Sequence, residues 1–463
     1  MTVNLQRRQP QKEAKREMRK IRWDQLPLVG GGSGHPHSKE LDEIARILDS
    51  VPEIAQLAMK DLVPEGVNPS VGNPGMTAIQ VVKAGIIKQM HGYSYVELEF
   101  HLADSAAFRT FMEIGFADGG PSASALQENI KRLKPSTWEA INLLLVKKAQ
   151  EAGIDEGRKV RVDSTVTESN IHDPDDAAQL WDTVRVLGRL LEQARGAGFA
   201  VGFNRRMRRA KRRRLGVLNA KDEAERRKQY RDLVHVTEEV IGYAERAVAF
   251  LERTGSPEAM AYATDLRHFI ELGKQVVDVT RRRVFQGEKV PASEKIVSIF
   301  EPHTDVIIKD RRQVLFGHKV FFTVGASSLV LDCVIADGNP ADSEMTVPMI
   351  DRVTEITGKV PKKVALDGGF ASRANLEKLK ARGVKDVCFS KGRGLSVEEM
   401  VQSKRVYKKL WRFRAGIEGV ISFLKRGFGL VRAMWRGEVG FQSYVWASVV
   451  SANLLVMARR TAG

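Results

Sequence analysis

The chain has 463 residues, with hydrophobic residues at 43% and charged residues at 28%, so it is long enough for two or three globular domains. Lys and Arg (74) outnumber Asp and Glu (57), and the resulting +17 favours a polyanionic partner, most simply nucleic acid, over an acidic one. Two cysteines, Cys333 and Cys388, lie far apart with no CxxC, which excludes a disulfide framework and a thiolate zinc site.

Residues 1–40 read as a basic arm ending in the linker "VGGGSGHPHS". Arg7, Arg8, Lys12, Lys15, Arg16, Arg19, Lys20 and Arg22 either hold phosphates or form a solvated tail, and His35 with His37 is too small a set for a metal site. No apolar segment follows the basic start and no later run approaches 18 uninterrupted apolar residues, so a soluble, untargeted, cytoplasmic protein without a membrane span is expected.

From 41 to 150 the pattern is helical. Thr77, Ser94 and Ser105 cap successive short helices, and "PSASALQENIKRL" starts another at Pro121 and Ser122. Gln127, Asn129, Lys131 and Arg132 would face outward from that last helix. The unit reads either as a helix-turn-helix with this helix in a major groove or as a plain helical bundle.

Strand signals begin at "RKVRVDSTV", where Val160 and Val162 alternate with Arg161 and Asp163 before Ser-Thr ends the run. Helical stretches then interrupt from about 177 to 295. They contain "NRRMRRAKRRRL", whose Arg205, Arg206, Arg208, Arg209, Lys211, Arg212 and Arg213 read as a phosphate-binding surface, and a second cluster at Arg281, Arg282 and Arg283. His172, Asp173, Asp175 and Asp176 read as loop and cap before the first of these helices. "GHKVFFTVG" and "SLVLDCVIADG" form an antiparallel hairpin around Gly325, with His303, His318 and Lys319 beside it and the direction of Asp332 and Asp337 open. "KKVALDGGFASRANLEKLKARGVKDVCFSK" is a βαβ unit that leaves Asp367 at the carboxyl end of a strand, where ligands bind in open α/β sheets.

Near the end, "WRFRAGIEGVISFLK" puts Trp411, Arg414, Glu418 and Lys425 within about 60° of one another on a helix. Ile417, Ile421, Leu424 and Phe428 form the neighbouring apolar stripe. The helix therefore packs by its aliphatic side and presents Arg414, Glu418 and Lys425 at the margin of a charged cleft. Asp163, Asp367 and Glu418 are the residue types that phosphoryl transfer on DNA requires, because two Mg2+ ions about 3.5–4 Å apart take carboxylate oxygens as ligands. A ribonuclease-H-like sheet brings a first strand, a later strand and a packed C-terminal helix together in this way.

These motifs resemble those of the DDE transposases of bacterial insertion sequences, in the group with a Y-x2-R-x3-E-x6-K signature. Arg414, Glu418 and Lys425 keep the spacing, while Trp411 stands where that group has tyrosine. "RVDSTVTESNIHDPDD" resembles the first acidic block, and "ADGNPADSEMTVPMIDRV" with "VALDGGFAS" the second; the similarity runs from about Thr77 to Arg459 and is nearest to ISNCY-type elements. The resemblance implies an α/β protein: a ribonuclease-H-like catalytic domain over 151–463 with a helical insertion, preceded by an all-α helix-turn-helix-like domain. It implies Asp163, Asp367 and Glu418 as ligands of two Mg2+ ions, Mn2+ substituting, with Arg414, Lys425 and Trp411 on DNA. It further implies inverted-repeat binding, strand cleavage and transfer by a homodimer on double-stranded DNA. A metal-dependent nuclease on the same fold and a non-catalytic DNA-binding regulator are the alternatives.

Overall fold

A computed structural model of the chain describes residues 34–63, 66, 75–115, 118–309 and 313–461. The arginines and lysines expected to act in the arm lie outside them. Helix α1 (Pro36–Asp49) starts inside the expected linker, with His35 as its N-cap and Pro36 in its first turn, where a missing N–H costs nothing.

Before the first strand come α2 (Glu53–Leu62), α3 (Ala78–His91), α4 (Tyr95–Asp104), α5 (Ala106–Phe111), α6 (Ala123–Arg132) and α7 (Pro135–Glu151). The hydroxyl punctuation sets their starts. Thr77 and Ser94 form capping boxes with Gln80 and Glu97, and Ser105 and Ser122 accept from the N–H groups of Phe108 and Ala125. Helix α3 is buried almost all round and makes a hub for its neighbours.

The chain then enters a mixed sheet through β1 (Lys159–Ser169) and leaves it for the insertion: α8 (Asp176–Gly196), α9 (Met207–Leu218), α10 (Glu223–Thr254), α11 (Pro257–Thr280) and a π-helical turn over Arg281–Phe285. Strands β2 (Asp305–Lys309), β3 (Gln313–Val324) and β4 (Val330–Ile335) follow, then α12 (Asp342–Thr357), β5 (Lys363–Leu366), α13 (Arg373–Ala381), β6 (Asp386–Phe389), α14 (Val397–Met400), α15 (Lys404–Gly427), the two-residue β7 (Arg432–Ala433) and α16 (Glu438–Thr461). The strand order is β2-β3-β1-β5-β6, with β4 also on β3 and β7 on β1. β3 runs antiparallel to β1, β2 and β4, whereas β1, β5 and β6 are parallel.

The expected hairpin and βαβ unit form at β3–β4 and β5-α13-β6. Strand β1 does not end at Ser164-Thr165; it continues to Ser169 because β3 pairs along its length as far as Glu168 opposite Gly317. The backbones there leave no space for a side chain, since a Cβ on Gly317 would lie 2.0 Å from the Thr167 carbonyl oxygen.

Two apolar cores result. The insertion has its own, built from residues such as Leu180, Leu191, Leu233, Ile241 and Leu266. The other is continuous from Leu41 through α3 and Trp138 of α7 to the sheet and α16, so the first seven helices and the sheet pack as one body. Asn453 of α16 ties them: its Nδ2 donates to Asn142 Oδ1 (2.7 Å) and to the Val330 carbonyl (2.8 Å), and its Oδ1 accepts from the Val330 N–H (2.9 Å). Helix α16 is long and apolar enough to cross a membrane, although polar residues interrupt its apolar run. Of its most apolar window 78% is buried inside the fold, so its composition answers to a core position. Cys333 and Cys388 are buried free thiols.

Candidate active site

Register and one helix contact assemble the site. β1 and β5 pair in parallel with Val162 opposite Leu366, so the next residues, Asp163 and Asp367, emerge beside each other. Helix α15 crosses β1 on the side that Asp163 faces. It is held there by Arg161, whose Nη1 donates to the Phe413 carbonyl (2.9 Å) and Nη2 to Ser328 Oγ (3.0 Å), and whose guanidinium lies 4.7 Å from the Phe413 ring centroid. Gly416 permits the approach, for a Cβ there would sit 2.2 Å from Arg161 Nη1. The apolar stripe works as the spacing predicts: Ile417, Leu424 and Phe428 are buried and Ile421 partly so.

Two residues before Gly416, Arg414 gathers the three acids. Its Nη2 lies 3.0 Å from Asp163 Oδ2 and 3.1 Å from Asp367 Oδ1, and its Nη1 donates to Glu418 Oε1 at 2.8 Å. The side chains of Arg414 and Asp163 are each 15% exposed, that of Asp367 is 42% and that of Glu418 68%. The cluster therefore opens to solvent on its Glu418 side. Arg414 Nε is buried without a hydrogen-bond partner among the described residues.

The environment separates the two aspartates. Burial pushes Asp163 up to about 6, against the lowering effect of the Ser164 N–H and Arg414, and the charges of Asp367 and Asp342 add to the rise. Burial also raises Asp367, but Ser390 Oγ (2.7 Å), the Gly368 N–H, Arg414 and Lys391 outweigh it and leave that carboxyl below its usual value. Asp342 was missed in the sequence. It stands at the start of α12, accepts from Ser164 Oγ (3.0 Å) and faces Lys319 Nζ (2.8 Å). Its signal was an aspartate opening a helix directly after a strand and a Gly-Asn-Pro turn, a pattern shared with ordinary helix starts.

The donor set suits a hard divalent cation: all oxygen, anionic, and borne on a strand, a strand end and a helix. Among the described residues no three His, Cys, Asp or Glu side chains already surround a common point, because Asp163, Asp367 and Glu418 are turned onto Arg414.

Other expected contacts fare differently. Trp411 is 49% exposed beside the cluster, and Lys425 is partly buried in the last turn of α15. Of the basic run, Arg205 pairs with Glu192, Arg206 with Glu239, and Arg209 and Arg213 with Asp232. These four are paired with acids that α8 and α10 turn toward α9 and the turn before it. Arg208, Lys211 and Arg212 are exposed, with no acidic partner among the described residues. Arg281, Arg282 and Arg283 are likewise paired, with Glu238, with Asp278, Glu288 and Glu294, and with Asp176. On α6, Gln127, Lys131 and Arg132 are exposed and Arg132 pairs with Glu128 at 2.6 Å, but Asn129 is buried and donates to the Ala125 carbonyl. Asp175 caps α8, as expected. His303 and His318 stack against each other between Glu301 and Asp305, and Asp332 is buried on Arg352 at 2.8 Å.

Comparison with family models gives two matches. Residues 274–454 match the Transposase DDE domain, and residues 33–132 match the Transposase domain (DUF772). Two stretches of the chain are thus similar to transposase domains, and together they support an insertion-sequence transposase of the DDE type. Asp367, Arg414, Glu418 and Lys425 fall inside the first match, whereas Asp163 and the α9 run fall between the two. No curated protein and no solved structure matches the chain.

Proposed function

We propose that the protein is a DDE transposase of an ISNCY-type insertion sequence, built on a ribonuclease-H-like catalytic fold. It binds the terminal inverted repeats of its element as a homodimer and carries out metal-dependent strand cleavage and strand transfer in a bacterial cytoplasm, at the nucleoid. The observation that carries this reading is the meeting of Asp163, Asp367 and Glu418 at one guanidinium, from two neighbouring parallel strands and the helix laid across them.

Asp163, Asp367 and Glu418 would hold two Mg2+ ions. When bound, these supply activation of the attacking oxygen and stabilisation of the leaving one. The protein's own part is placement: Arg414 grips a phosphate bidentately, Lys425 adds a point charge, and Trp411 packs against the strand at the opening. Arg208, Lys211 and Arg212 hold phosphates farther along the duplex, and Lys131 with Arg132 offers a contact from the helical segment.

Purified protein with Mg2+ and a labelled duplex carrying the DNA that flanks the reading frame tests the reading, beside Glu418→Gln. Joined product that disappears in the variant while DNA binding persists is expected. Cleavage without joining would assign a nuclease, and specific binding with neither reaction, in Mg2+ or Mn2+, a regulator.

A further inference from the structure

The cluster is held by a cation that the protein itself supplies. A metal ion that took Asp163 Oδ2 and Asp367 Oδ1 would lie about 2.0–2.1 Å from each. Arg414 Nη2 is the common neighbour of those same two oxygens, at 3.0 and 3.1 Å, and Nη1 occupies Glu418 Oε1 as well. A guanidinium and a divalent ion cannot both fill that space, and their charges repel at such separations.

A second observation concerns the arginine itself. Nε of Arg414 is buried with no acceptor among the described residues, so this placement leaves one of its five donors desolvated and unpaired. Two other cations near the acids are differently tied: Lys319 bonds Asp342 and the Pro340 carbonyl, and Arg161 bonds Phe413 and Ser328. Arg414 alone among these three touches all of Asp163, Asp367 and Glu418.

We propose that Arg414 is the resident cation of the metal-free site and exchanges with the divalent ion. Loading the ion expels the guanidinium from the two aspartates toward solvent, where Glu418 is already exposed and where a DNA phosphate would approach. Arg414 then holds phosphate only after the site has been charged, which orders ion binding before tight closure on DNA. The inference rests on the reading of Asp163, Asp367 and Glu418 as metal ligands.

The test is Mn2+ binding to the full chain without DNA, read by paramagnetic resonance and calorimetry, for wild type, Arg414→Ala, Arg414→Lys, and Arg414→Ala combined with Asp163→Asn. Exchange requires Arg414→Ala to bind Mn2+ at least about tenfold more tightly than wild type, since a competing charge beside the carboxylates is gone. Arg414→Lys, which keeps the charge but cannot bridge three acids, should fall between, and the double variant should lose the gain. Equal or weaker binding by Arg414→Ala, with binding still abolished by adding Asp163→Asn, would overturn the exchange and leave the ligand assignment standing. Mn2+ binding indifferent to Asp163→Asn would overturn both. A thermal melt without metal guards against misfolding, because Arg414→Lys must melt cooperatively for the comparison to count.

Discussion

Asp163 and Asp367 share a single cationic neighbour, Nη2 of Arg414, at 3.0 and 3.1 Å, although 204 positions separate them in sequence (367 − 163). The pair is unequal: burial raises Asp163 to about 6, while hydrogen bonds and charges lower Asp367.

That inequality makes Asp163 a cost to the metal-free fold. Its folded value is above the ordinary 3.8, so the folded state binds the proton more tightly than the unfolded chain does. The associated stability is complete below about 4 and is lost as pH rises through about 6. Asp163→Asn should therefore stabilise the metal-free protein at pH 8 by about 2–3 kcal/mol, because each pH unit between the folded and unfolded values is worth about 1.36 kcal/mol, and by almost nothing at pH 4. Urea melts across that range check it; a variant less stable than wild type at pH 8 would contradict it.

Only the outward side of α9 should feel DNA. Replacing Arg208, Lys211 and Arg212 together by alanine should lower duplex affinity and reduce the salt slope, log Kobs against log salt, by about 3, near 0.9 per phosphate contact. Arg209→Ala and Arg213→Ala should leave that slope unchanged and loosen the insertion, because both side chains are committed to Asp232. Anisotropy titrations at several salt concentrations separate the two sets.

Gly416→Ala is a contest between propensity and contact. In an open helix the change gains about 0.5–1 kcal/mol. Here the new methyl meets Arg161 Nη1, which is buried and bound to the Phe413 carbonyl, so α15 must lift or Arg161 must let go. Strand cleavage should fall at least about tenfold with only a small change in melting temperature, and Arg161→Met on the same background should recover part of it. Undiminished cleavage would show that α15 does not depend on this approach.

His91 provides a second pH handle, away from the acids. Burial, then the neighbouring His37 and His101, lower it to about 4, so the folded state binds this proton less tightly than the unfolded chain. Its contribution is present above about 6.5 and disappears as pH falls toward 4. Hydrogen exchange over residues 78–91 should accelerate in that window in the wild type, and the acceleration should be smaller in His91→Phe.

Much of the site was legible because it rests on local rules. Strand alternation located Asp163, the βαβ turn located Asp367, and helical spacing located Arg414 and Glu418. Their union is non-local, set by the register of β1 against β5 and by the space above Gly416, so the sequence named the residues without showing what each would touch. The ion pairs of Arg205, Arg206 and Arg209 were not legible because their acids come from other helices, Glu192 on α8 and Asp232 and Glu239 on α10. Asn129 misled because its donor found the carbonyl one turn back. Helix α16 looked unexceptional in a scan for uninterrupted apolar runs, since Ser443, Ser448, Ser451 and Asn453 punctuate it; all four are buried.

The insertion leaves and rejoins the sheet at one place. Gln179 near the start of α8 donates to the Val297 carbonyl and accepts from the Ile299 N–H, and Thr304 Oγ1 donates to Ser169 Oγ at 2.8 Å. With its two stems side by side and a core of its own, this block resembles a tool in a chuck: its own packing can change without moving Asp163, Asp367 or Glu418.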